Sequence, residues 1–281
     1  MITKRIKELL EIYNDASDDE KQAYLIQLRM YLPGDKTLRI DADGLLYYAA
    51  YSPAFKQGED IGGSFVGESV RVRFKKYKEM FEAIVAEVVT ECELASFRGE
   101  LPRFKEYELI FTPSRNFRYD IFPDYKKSRL LKEQSTMLKR LKRWVKPLHT
   151  VADGVEADDL VYWYAMRGDP VASGDKDVVN AVPAAFYYHR NHRVVVTNTK
   201  KEMDRWVLLQ TLAGDPSDDI PGLKGVALKT AEKLLPEGAT MGDVVSIYES
   251  KGYTKEDAIL TRRLVGLDQL DRRRRLKLYE I

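Results

Sequence analysis

The feature that most constrains the fold is a series of short apolar segments that run directly into acidic residues. LRIDAD (38–43) has the composition of a buried strand and ends in two aspartates, and PVASGD (170–175) ends in another. A third such segment, YELIFT (107–112), lies between them along the chain. In open parallel sheets, ligands bind at the carboxyl ends of the strands, so we expect these acids to meet in one cleft.

Segments with the apolar spacing of helices surround the first two strands. Residues 2–31 read as two amphipathic helices, and Ser17 with Glu20 three positions on predicts a capping box at the start of the second. A glycine-rich loop at 58–67 leads into a long helix from about Glu68 to Leu94, whose apolar residues recur every three or four positions. These segments predict helices that pack against the sheet.

The rest of the chain continues this alternation and then changes character. A basic helix is predicted from Arg129 to Val145, ADDLVYWYAMR reads as another helix, and two strands flank a hairpin turn at Asn191-His192. Strands that alternate with helices predict an α/β domain with a mostly parallel central sheet. From Lys201 onward only helical patterns remain. We therefore expect an N-terminal helical extension, an α/β domain and a smaller helical domain, at residues 1–35, 36–200 and 201–281.

Composition excludes several classes of protein. Of the 281 residues, 44% are hydrophobic, which is typical of a globular chain. No run of about 18 apolar residues occurs, so we expect no membrane association, and the segment MITKRIKELLEIYND is too charged for a secretory signal. The single Cys92 cannot form an internal disulfide, and no Cys/His cluster predicts a zinc site. We expect a monomer in a reducing cytoplasm, which for a viral chain is that of the host.

The net charge of +2 conceals three segments of opposite sign. Residues 114–150 contain eleven Lys or Arg against three acids, whereas residues 153–177 contain seven acids against two bases. Residues 261–277, which include DRRRRLK, are basic again. A basic segment beside an acidic pocket suits a polyanion that is bound by cations and processed at metal ions. The alternative is a set of solvated, charged helix faces.

The acidic segment places three acids in VEADD (155–159) and two in SGDKD (173–177). Packed together without a cation, such carboxylates would repel one another and tend to protonate. An Asp pair at a helix start is often a cap, and Asp-Lys-Asp after a strand is often a turn, so the acids could also lie apart on the surface. Neither alternative explains why acids follow separate predicted strands, or why more occur in GDPSDD (214–219). We therefore predict that Mg²⁺ or Mn²⁺, which prefer oxygen ligands, bind between them.

In order and spacing, three motifs resemble those of the 5′-nuclease superfamily: VEADDL, SGDKD and GDPSDDIPGLKGVALKTAEKLL. This family comprises flap endonucleases, the 5′-nuclease domains of bacterial DNA polymerases, and bacteriophage 5′–3′ exonucleases. RIDADGLLYYA resembles the first-strand motif of the family, and FRYDIFPDYKKSR resembles its FR…YKxxR segment. The overlap runs from about Leu38 to Leu235 and is most similar to the phage enzymes. The resemblance implies an α/β fold with a PIN-like nuclease core and a C-terminal helix-two-turn-helix domain.

The resemblance also implies roles for individual residues. Two divalent cations, Mg²⁺ or Mn²⁺, would be held by two groups of acids: Asp41, Glu156, Asp158 and Asp159 for the first, and Asp175, Asp177, Asp215 and Asp218 for the second. The implied catalytic cations, which contact the scissile phosphate, are Lys126 and Arg129. The implied DNA contacts are Arg118 at the Phe-Arg position, Tyr125 where a terminal base can stack, and Gly222, Lys224, Gly225 and Lys229 in the helix-two-turn-helix element, which also binds K⁺ in the family.

The sequence departs from the family pattern at three positions. The family has another Asp after its second strand, where this chain has Thr112 or Pro113, and Asp43 is the candidate that compensates. Asp219 stands where Asn is common, and Ala227 replaces a frequent Gly. The segment after the basic pair is also short for a long helical arch, so the threading of a single strand is left open.

The implied function is metal-dependent hydrolysis of duplex DNA that has 5′ ends, nicks or flaps, with RNA–DNA hybrids as a further substrate. The implied setting is DNA replication, repair or recombination. Two ions about 4 Å apart can activate water and stabilise the attacking and leaving oxygens, and fixed cations can stabilise the phosphoryl oxygens. One alternative is a catalytically weakened DNA-binding protein of the same fold, supported by the missing Asp near Pro113. Another is a toxin-type ribonuclease, which would lack the helix-two-turn-helix motif.

Overall fold

The computed structural model describes residues 2–51, 70–130, 134–189 and 192–280. Two predicted features, the glycine-rich loop at 58–67 and the turn residue Asn191, lie outside this part of the chain. Within it, six strands form one sheet in the order β3-β2-β1-β4-β5-β6. The strands are β1 (Lys36–Asp41), β2 (Phe104–Phe111), β3 (Thr150–Val151), β4 (Val171–Ser173), β5 (Ala184–His189) and β6 (His192–Thr197).

Strand β1 lies where the connectivity of the sheet changes direction. It pairs in parallel with β2 on one side and with β4 on the other. In the described sheet only β6 is antiparallel, against β5. The crevice at the carboxyl ends of β1 and β4 is therefore a topological switch point, where α/β sheets bind ligands. The predicted mostly parallel sheet is confirmed, although the two-residue β3 was missed because it is too short to show a period.

Helices cover both faces of this sheet. Among the described residues before Lys200 they are α1 (Ile2–Asp15), α2 (Asp18–Tyr31), α3 (Asp43–Ala50), α4 (Val70–Arg98), α5 (Arg118–Ile121), α6 (Lys127–Leu130), α7 (Thr136–Val145), α8 (Ala157–Ala165) and α9 (Lys176–Ala181). Helices α3, α4 and α7 pack over Leu38 and Ile40 of β1, and α8 and α9 pack over Ile110 and Val171 on the opposite face. Each fully buried aliphatic side chain contributes about 1.5–3 kcal/mol.

Two helix predictions have different outcomes. The capping box at Ser17 is confirmed, since its backbone N–H and hydroxyl both donate to the Glu20 carboxylate, at 3.0 and 2.5 Å. The single basic helix predicted from Arg129 to Val145 is wrong, because α6 and α7 are separate helices. The start of α7 is fixed by Ser135, whose Oγ accepts a hydrogen bond from Leu138 N–H at 3.1 Å. None of the helices described is long and apolar enough to cross a bilayer.

The region after residue 200 has its own core. Its helices are α10 (Lys200–Ala213), α11 (Leu228–Leu234), α12 (Met241–Ser250) and α13 (Lys255–Val265). The helical-only prediction is wrong where β7 (Gly214–Asp215) and β8 (Ile220–Pro221) form a small hairpin. Beyond α13 the chain returns to the α/β core, because Leu267, Leu270 and Leu278 pack against the apolar cluster around α8. The predicted division at residues 35 and 200 stays a prediction.

Candidate active site

The amino end of α8 lies at the carboxyl edge of the sheet and carries a dense group of acids. Thr112, directly after β2, accepts a hydrogen bond from Ala157 N–H at 3.1 Å. Asn116 Nδ2 donates to Glu156 Oε1, also at 3.1 Å. These bonds tie the strand end to the helix start. The partial positive charge of a helix amino end favours acids placed there.

Arg118 and Asp159 form a closed ion pair at this helix end. Arg118 is 2% exposed, and its two terminal nitrogens lie 2.7 Å from the two carboxylate oxygens of Asp159. The same guanidinium donates to the backbone carbonyls of Leu264 at 2.8 Å and Gly266 at 3.1 Å. Asp159 also accepts a hydrogen bond from Glu156 N–H at 2.9 Å. Arg118 and Asp159 are thus each other's partners in this structure, and their predicted roles in DNA contact and metal binding stay predictions.

Tyr125 is only 1% exposed, so its ring is closed to a terminal base in this structure, and the predicted stacking stays a prediction. Its hydroxyl oxygen lies 2.7 Å from Glu156 Oε2 and 3.2 Å from Asp218 Oδ2, and its one hydrogen is shared between these carboxylates. Burial, together with the charge of Glu156, raises the pKa of Tyr125 far above its ordinary value. Tyr125 therefore remains a hydrogen-bond donor that orients the two acids.

Lys126 bridges the two predicted groups of acids. Its Nζ lies 2.6 Å from Glu156 Oε1 and 3.3 Å from Asp218 Oδ2. Its backbone is left-handed, with φ of 54°, and its N–H donates to the Asp218 carbonyl at 2.9 Å. A non-glycine residue keeps such a conformation only where its surroundings fix it. Here the hydrogen bond and the two ion pairs fix it and aim the ammonium group between the acids.

Arg129 lies beside this bridge and remains half exposed. Its guanidinium contacts the Asp218 carboxylate, and its Nε donates to the Ser217 carbonyl at 3.1 Å. Because 50% of the Arg129 side chain is exposed, part of its charge faces solvent. This side chain is therefore placed to contact an anion that approaches from outside.

The same cations keep Glu156 ionised. Burial by itself would raise the pKa of this carboxyl, but Lys126 and Arg118 lower it below the ordinary value. Hydrogen bonds from Lys126 and Tyr125 act in the same direction. Glu156 is thus a buried carboxylate with its charge balanced.

The other acids of the first group make no ion pair within the described structure. Asp41, at the end of β1, accepts hydrogen bonds from Ser173 Oγ at 2.9 Å and Asp43 N–H at 3.3 Å. Burial, followed by the charge of Asp43, raises the pKa of Asp41 to about 7. Burial and the charges of Asp41 and Asp175 raise the pKa of Asp158 well above its ordinary value. Both shifts come first from burial, and the charges of neighbouring carboxylates add to them.

The second group of acids borders a cavity of about 650 Å³, which Asp177 and Asp215 line. Burial, with the charges of Asp175 and Asp215, raises the pKa of Asp177 to about 7. Its Oδ1 is buried and accepts no hydrogen bond from any residue described, which is uncommon for a buried carboxylate oxygen. Burial also raises the pKa of Asp218, although two cations lie beside it.

Together the two groups line a cleft and do not form a closed cage. In the part of the chain that is described, no three His, Cys, Asp or Glu side chains are close enough to surround one ion. The donors are nevertheless all oxygen, which suits Mg²⁺ or Mn²⁺. Divalent cations would offset the like charges that, after burial, raise these pKa values, and the unpartnered oxygen of Asp177 would coordinate one of them. The residues present therefore fit hard divalent cations.

Asp43 reaches the strand end where the family pattern has a further Asp. Thr112 N–H donates to Asp43 Oδ2 at 2.8 Å, although Thr112 and Pro113 carry no acid themselves. A carboxylate therefore lies at the carboxyl end of β2. This position fits the prediction that Asp43 compensates for the Asp that the family has after its second strand. That role stays a prediction.

The predicted helix-two-turn-helix element follows β8 and includes α11. Gly222 packs on the chain at the end of α10, where an added β-carbon would lie 2.2 Å from the carbonyl carbon of Ala213. Its role is therefore to permit this packing. Gly225 has a φ of 76° and open space around it, and Lys224 and Lys229 are exposed. Gly225 and Lys229 line the same cavity as the second group of acids.

Sequence reasoning missed a pair of exposed aromatic rings near the first group. Tyr47 on α3 and Tyr51, which directly follows this helix, stack with their ring centroids 5.9 Å apart, and both are exposed. Lys142 Nζ lies 5.3 Å from the centroid of the Tyr47 ring. Asp43 begins the same helix, so the rings lie close to the acids. The spacing of the two tyrosines was visible in the sequence, but spacing alone does not distinguish an exposed face from a buried one.

Comparison with known proteins gives sequence relatives at low identity, and no protein-family model matches the chain. The chain is 26% identical over 252 residues to the thermostable DNA polymerase I of Thermus filiformis, covering 85% of this chain and 28% of that protein. It is 27% identical over 169 residues to the 5′–3′ exonuclease of Buchnera aphidicola subsp. Schizaphis graminum, covering 52% of this chain and 57% of that protein. The chain thus spans less than two thirds of either relative.

Solved structures of a bacteriophage T5 protein share the fold. One, co-crystallised with metal ions, aligns with a TM-score of 0.56 and 17% identity, covering 83% of this chain and 89% of that one. Another, a flap endonuclease in a complex with DNA and metal ions, aligns with a TM-score of 0.51 and 16% identity over the same shares. At these identities the likeness bears on the fold, and it agrees with a parallel sheet flanked by helices.

Proposed function

We propose that this chain, which belongs to the 5′-nuclease superfamily, uses divalent cations to hydrolyse phosphodiester bonds of DNA at 5′ ends or 5′ flaps. The observation that carries the proposal is the bridge made by Lys126, whose Nζ contacts Glu156 of the first group and Asp218 of the second. A cation fixed between two acidic groups lies where a phosphate can meet both. A purely structural ion pair would not explain the uncompensated acids on either side of it.

The acids of the cleft would hold the cations. They are Asp41, Glu156 and Asp158 of the first group, and Asp175, Asp177, Asp215 and Asp218 of the second. When bound, two such ions supply an activated water and stabilise the attacking and leaving oxygens of the phosphodiester. The chain contributes oxygen ligands at one edge of a rigid sheet and keeps Glu156 ionised through Lys126 and Arg118.

The basic side chains would act directly on the phosphate. Lys126 and Arg129 already lie on the Asp218 carboxylate, so a phosphate that enters competes with that acid for the same donors. Fixed positive charge at the phosphoryl oxygens stabilises the negative charge that develops in the transition state. Tyr125 holds Glu156 and Asp218 in place during this exchange, because its hydroxyl donates to both.

The duplex would be held outside the cleft through its backbone. Lys224 and Lys229 are exposed beside the open turn at Gly225, and such an element can bind successive phosphates without reading bases. The cavity between this turn and the second group of acids supports a continuous path from the duplex to the cleft. Tyr47 replaces Tyr125 as the ring on which a terminal base can stack.

The finer parts of the proposal concern which cations and substrates the chain uses and in which process it acts. We propose Mg²⁺ as the working cation with Mn²⁺ as a substitute, K⁺ at the helix-two-turn-helix element, and RNA–DNA hybrids as a second substrate. The setting would be replication, repair or recombination, with the chain acting as a monomer. A catalytically weakened DNA-binding protein is the alternative, and the Asp43 carboxylate at the end of β2 argues against it.

The deciding experiment uses 5′-labelled duplexes with a flap, a nick, a gap or an RNA–DNA segment. Cleavage should require Mg²⁺, stop with a chelator, and resume when Mg²⁺ is restored. The ladder of products separates exonuclease from flap cutting. A folded protein that binds these duplexes but leaves every one intact with Mg²⁺ would establish the non-catalytic alternative.

The duplex contact has a separate test. Lys224→Ala with Lys229→Ala should weaken binding equally for two unrelated duplexes and lower the salt slope of binding by up to about two. Cleavage at saturating DNA should change little. An unchanged slope would show that this element does not hold the backbone.

A further inference from the structure

The basic segment after α13 has no part in the proposed catalysis, yet it has a defined structure. Arg272 to Arg275 occupy a tight turn that Asp271 organises. Asp271 Oδ1 accepts hydrogen bonds from the backbone N–H groups of Arg273 at 2.7 Å and Arg275 at 2.9 Å. The backbone N–H of Arg275 contributes most to holding the pKa of Asp271 at about 2, so this acid stays charged. The four consecutive arginines are thus presented by a built turn.

The turn is anchored to α8, the helix whose other end carries the acids of the cleft. Trp163 Nε1 donates to the Asp271 carbonyl at 2.8 Å. Leu270 and Leu276 form a β-bridge across the base of the turn, and Leu270 packs on the apolar cluster around α8. Asp158 and Trp163 are five residues apart on α8, which corresponds to a rise of about 7.5 Å. The turn therefore has a fixed position close to the cleft.

Aromatic rings hold two cations of this region without cancelling their charge. The Arg167 guanidinium carbon lies 3.6 Å from the centroid of the Trp163 ring. The Arg274 guanidinium carbon lies 5.6 Å from the centroid of the Tyr164 ring, and Arg274 Nη1 donates to the Tyr164 hydroxyl at 3.2 Å. A cation over a ring is oriented but keeps its full charge, unlike a cation paired with a carboxylate.

Acids compensate little of the charge in this region. Asp271 is paired with Arg275, at 2.7 Å. The guanidinium groups of Arg272 and Arg273 are exposed and have no ion-pair partner among the described residues. We use the name arginine turn for Arg272, Arg273 and Arg274 of this turn, together with Arg167, which lies against the Trp163 ring. Like charges held this close repel one another, so a fixed cluster of this kind is suited to an anionic partner.

We propose that the arginine turn binds the sugar–phosphate backbone of duplex DNA outside the cleft, as a second docking site that does not read sequence. This inference rests on the proposed function. Duplex DNA carries one charge per about 1.7 Å, so a substrate cut at the cleft brings many phosphates within reach of a site at the far end of α8. Guanidinium groups bind phosphate oxygens through paired N–H donors, which arginine offers and lysine does not.

The test is equilibrium binding of a nicked duplex by the full chain at several salt concentrations, with a chelator present so that no cleavage occurs. Arg272→Ala with Arg273→Ala should weaken binding and lower the salt slope by up to about two, equally for two unrelated sequences. The matched control is Arg103→Ala with Lys105→Ala, which removes the same charge from exposed residues before and within β2. The control should keep the slope of the unchanged protein. Cleavage at saturating DNA with Mg²⁺ should be the same for all three.

Failure of this inference is distinguishable from failure of the proposed function. If the unchanged protein binds and cleaves DNA but the arginine variant keeps its full salt slope, only the second docking site is wrong. An equal loss of slope in the control would also overturn it, because the effect would then be one of net charge alone. An unchanged slope with lost binding to vesicles of equal parts phosphatidylcholine and phosphatidylserine would assign the turn to a membrane surface.

Discussion

Two ion-pair clusters lie at the amino end of α8 and differ in how completely their members are satisfied. In the closed cluster, Arg118 contacts both oxygens of Asp159 and two backbone carbonyls, and both residues are buried. In the open cluster, Lys126 contacts Glu156 and Asp218, and the neighbouring acids Asp41 and Asp158 have no ion-pair partner among the described residues. The closed cluster is buried and its two charges are paired with each other, so we assign it a structural role. The open cluster retains unpaired charge, which a cation and a phosphate can use.

The first prediction concerns the open cluster and has the largest expected effect. Asp158→Asn removes a ligand and a charge, so single-turnover cleavage should fall by about 10³-fold or more, the scale of losing several kcal/mol of metal-based stabilisation. The same change relieves repulsion with Asp41 and Asp175, so the melting temperature without cations should stay or rise. Near-normal Mg²⁺-dependent cleavage by this variant would contradict the assignment of the open cluster as the site of the catalytic cations.

The second prediction concerns the closed cluster. Arg118→Ala leaves the Asp159 carboxylate buried without its cation, which should lower the free energy of unfolding by about 3–5 kcal/mol. The paired replacement Arg118→Met with Asp159→Leu should recover part of this loss, because no buried charge is left alone. Denaturant unfolding measures both. If Arg118→Ala kept full stability and lost only DNA affinity, the pair would not be structural.

The third prediction separates chemistry from binding within the open cluster. Lys126→Ala should lower the single-turnover rate by about 10²-fold, the scale of losing one electrostatic stabiliser, while duplex affinity falls much less. Lys127→Ala is the matched control, since Lys127 is exposed and pairs with Asp124. If Lys126→Ala lowered the single-turnover rate and the duplex affinity by the same factor, this lysine would act only in docking the DNA.

The fourth prediction uses pH and has the smallest expected effect. A carboxyl with a raised folded-state pKa binds more protons in the folded than in the unfolded protein, so stability falls as pH rises between the two pKa values. For Asp41 and Asp177 this window runs from 3.8 to about 7. Without cations, the free energy of unfolding should decline across it, and Mg²⁺ should reduce the decline at its upper end. A Mg²⁺ effect that is the same at pH 5 and pH 7.5 would contradict this.

Sequence reasoning located the cleft because strand ends and acids are both local patterns. Asp41 and Asp175 follow apolar strands, and a parallel sheet brings such ends to one edge. It could not assign Arg118, Asp159 and Tyr125, because their roles depend on burial by residues more than a hundred positions away, such as Leu264. A motif records which residue types occur together, and not which of them remain open to solvent.

The central claim is that the open cluster binds divalent cations and the closed cluster does not. Calorimetric titration of Mn²⁺ into the protein without DNA tests it most directly, with Asp158→Asn and Asp159→Asn measured in parallel. We expect binding to the unchanged protein, a clear loss of affinity or stoichiometry in Asp158→Asn, and binding close to normal in folded Asp159→Asn. Equal loss in both variants, or no binding by the unchanged protein, would contradict the claim.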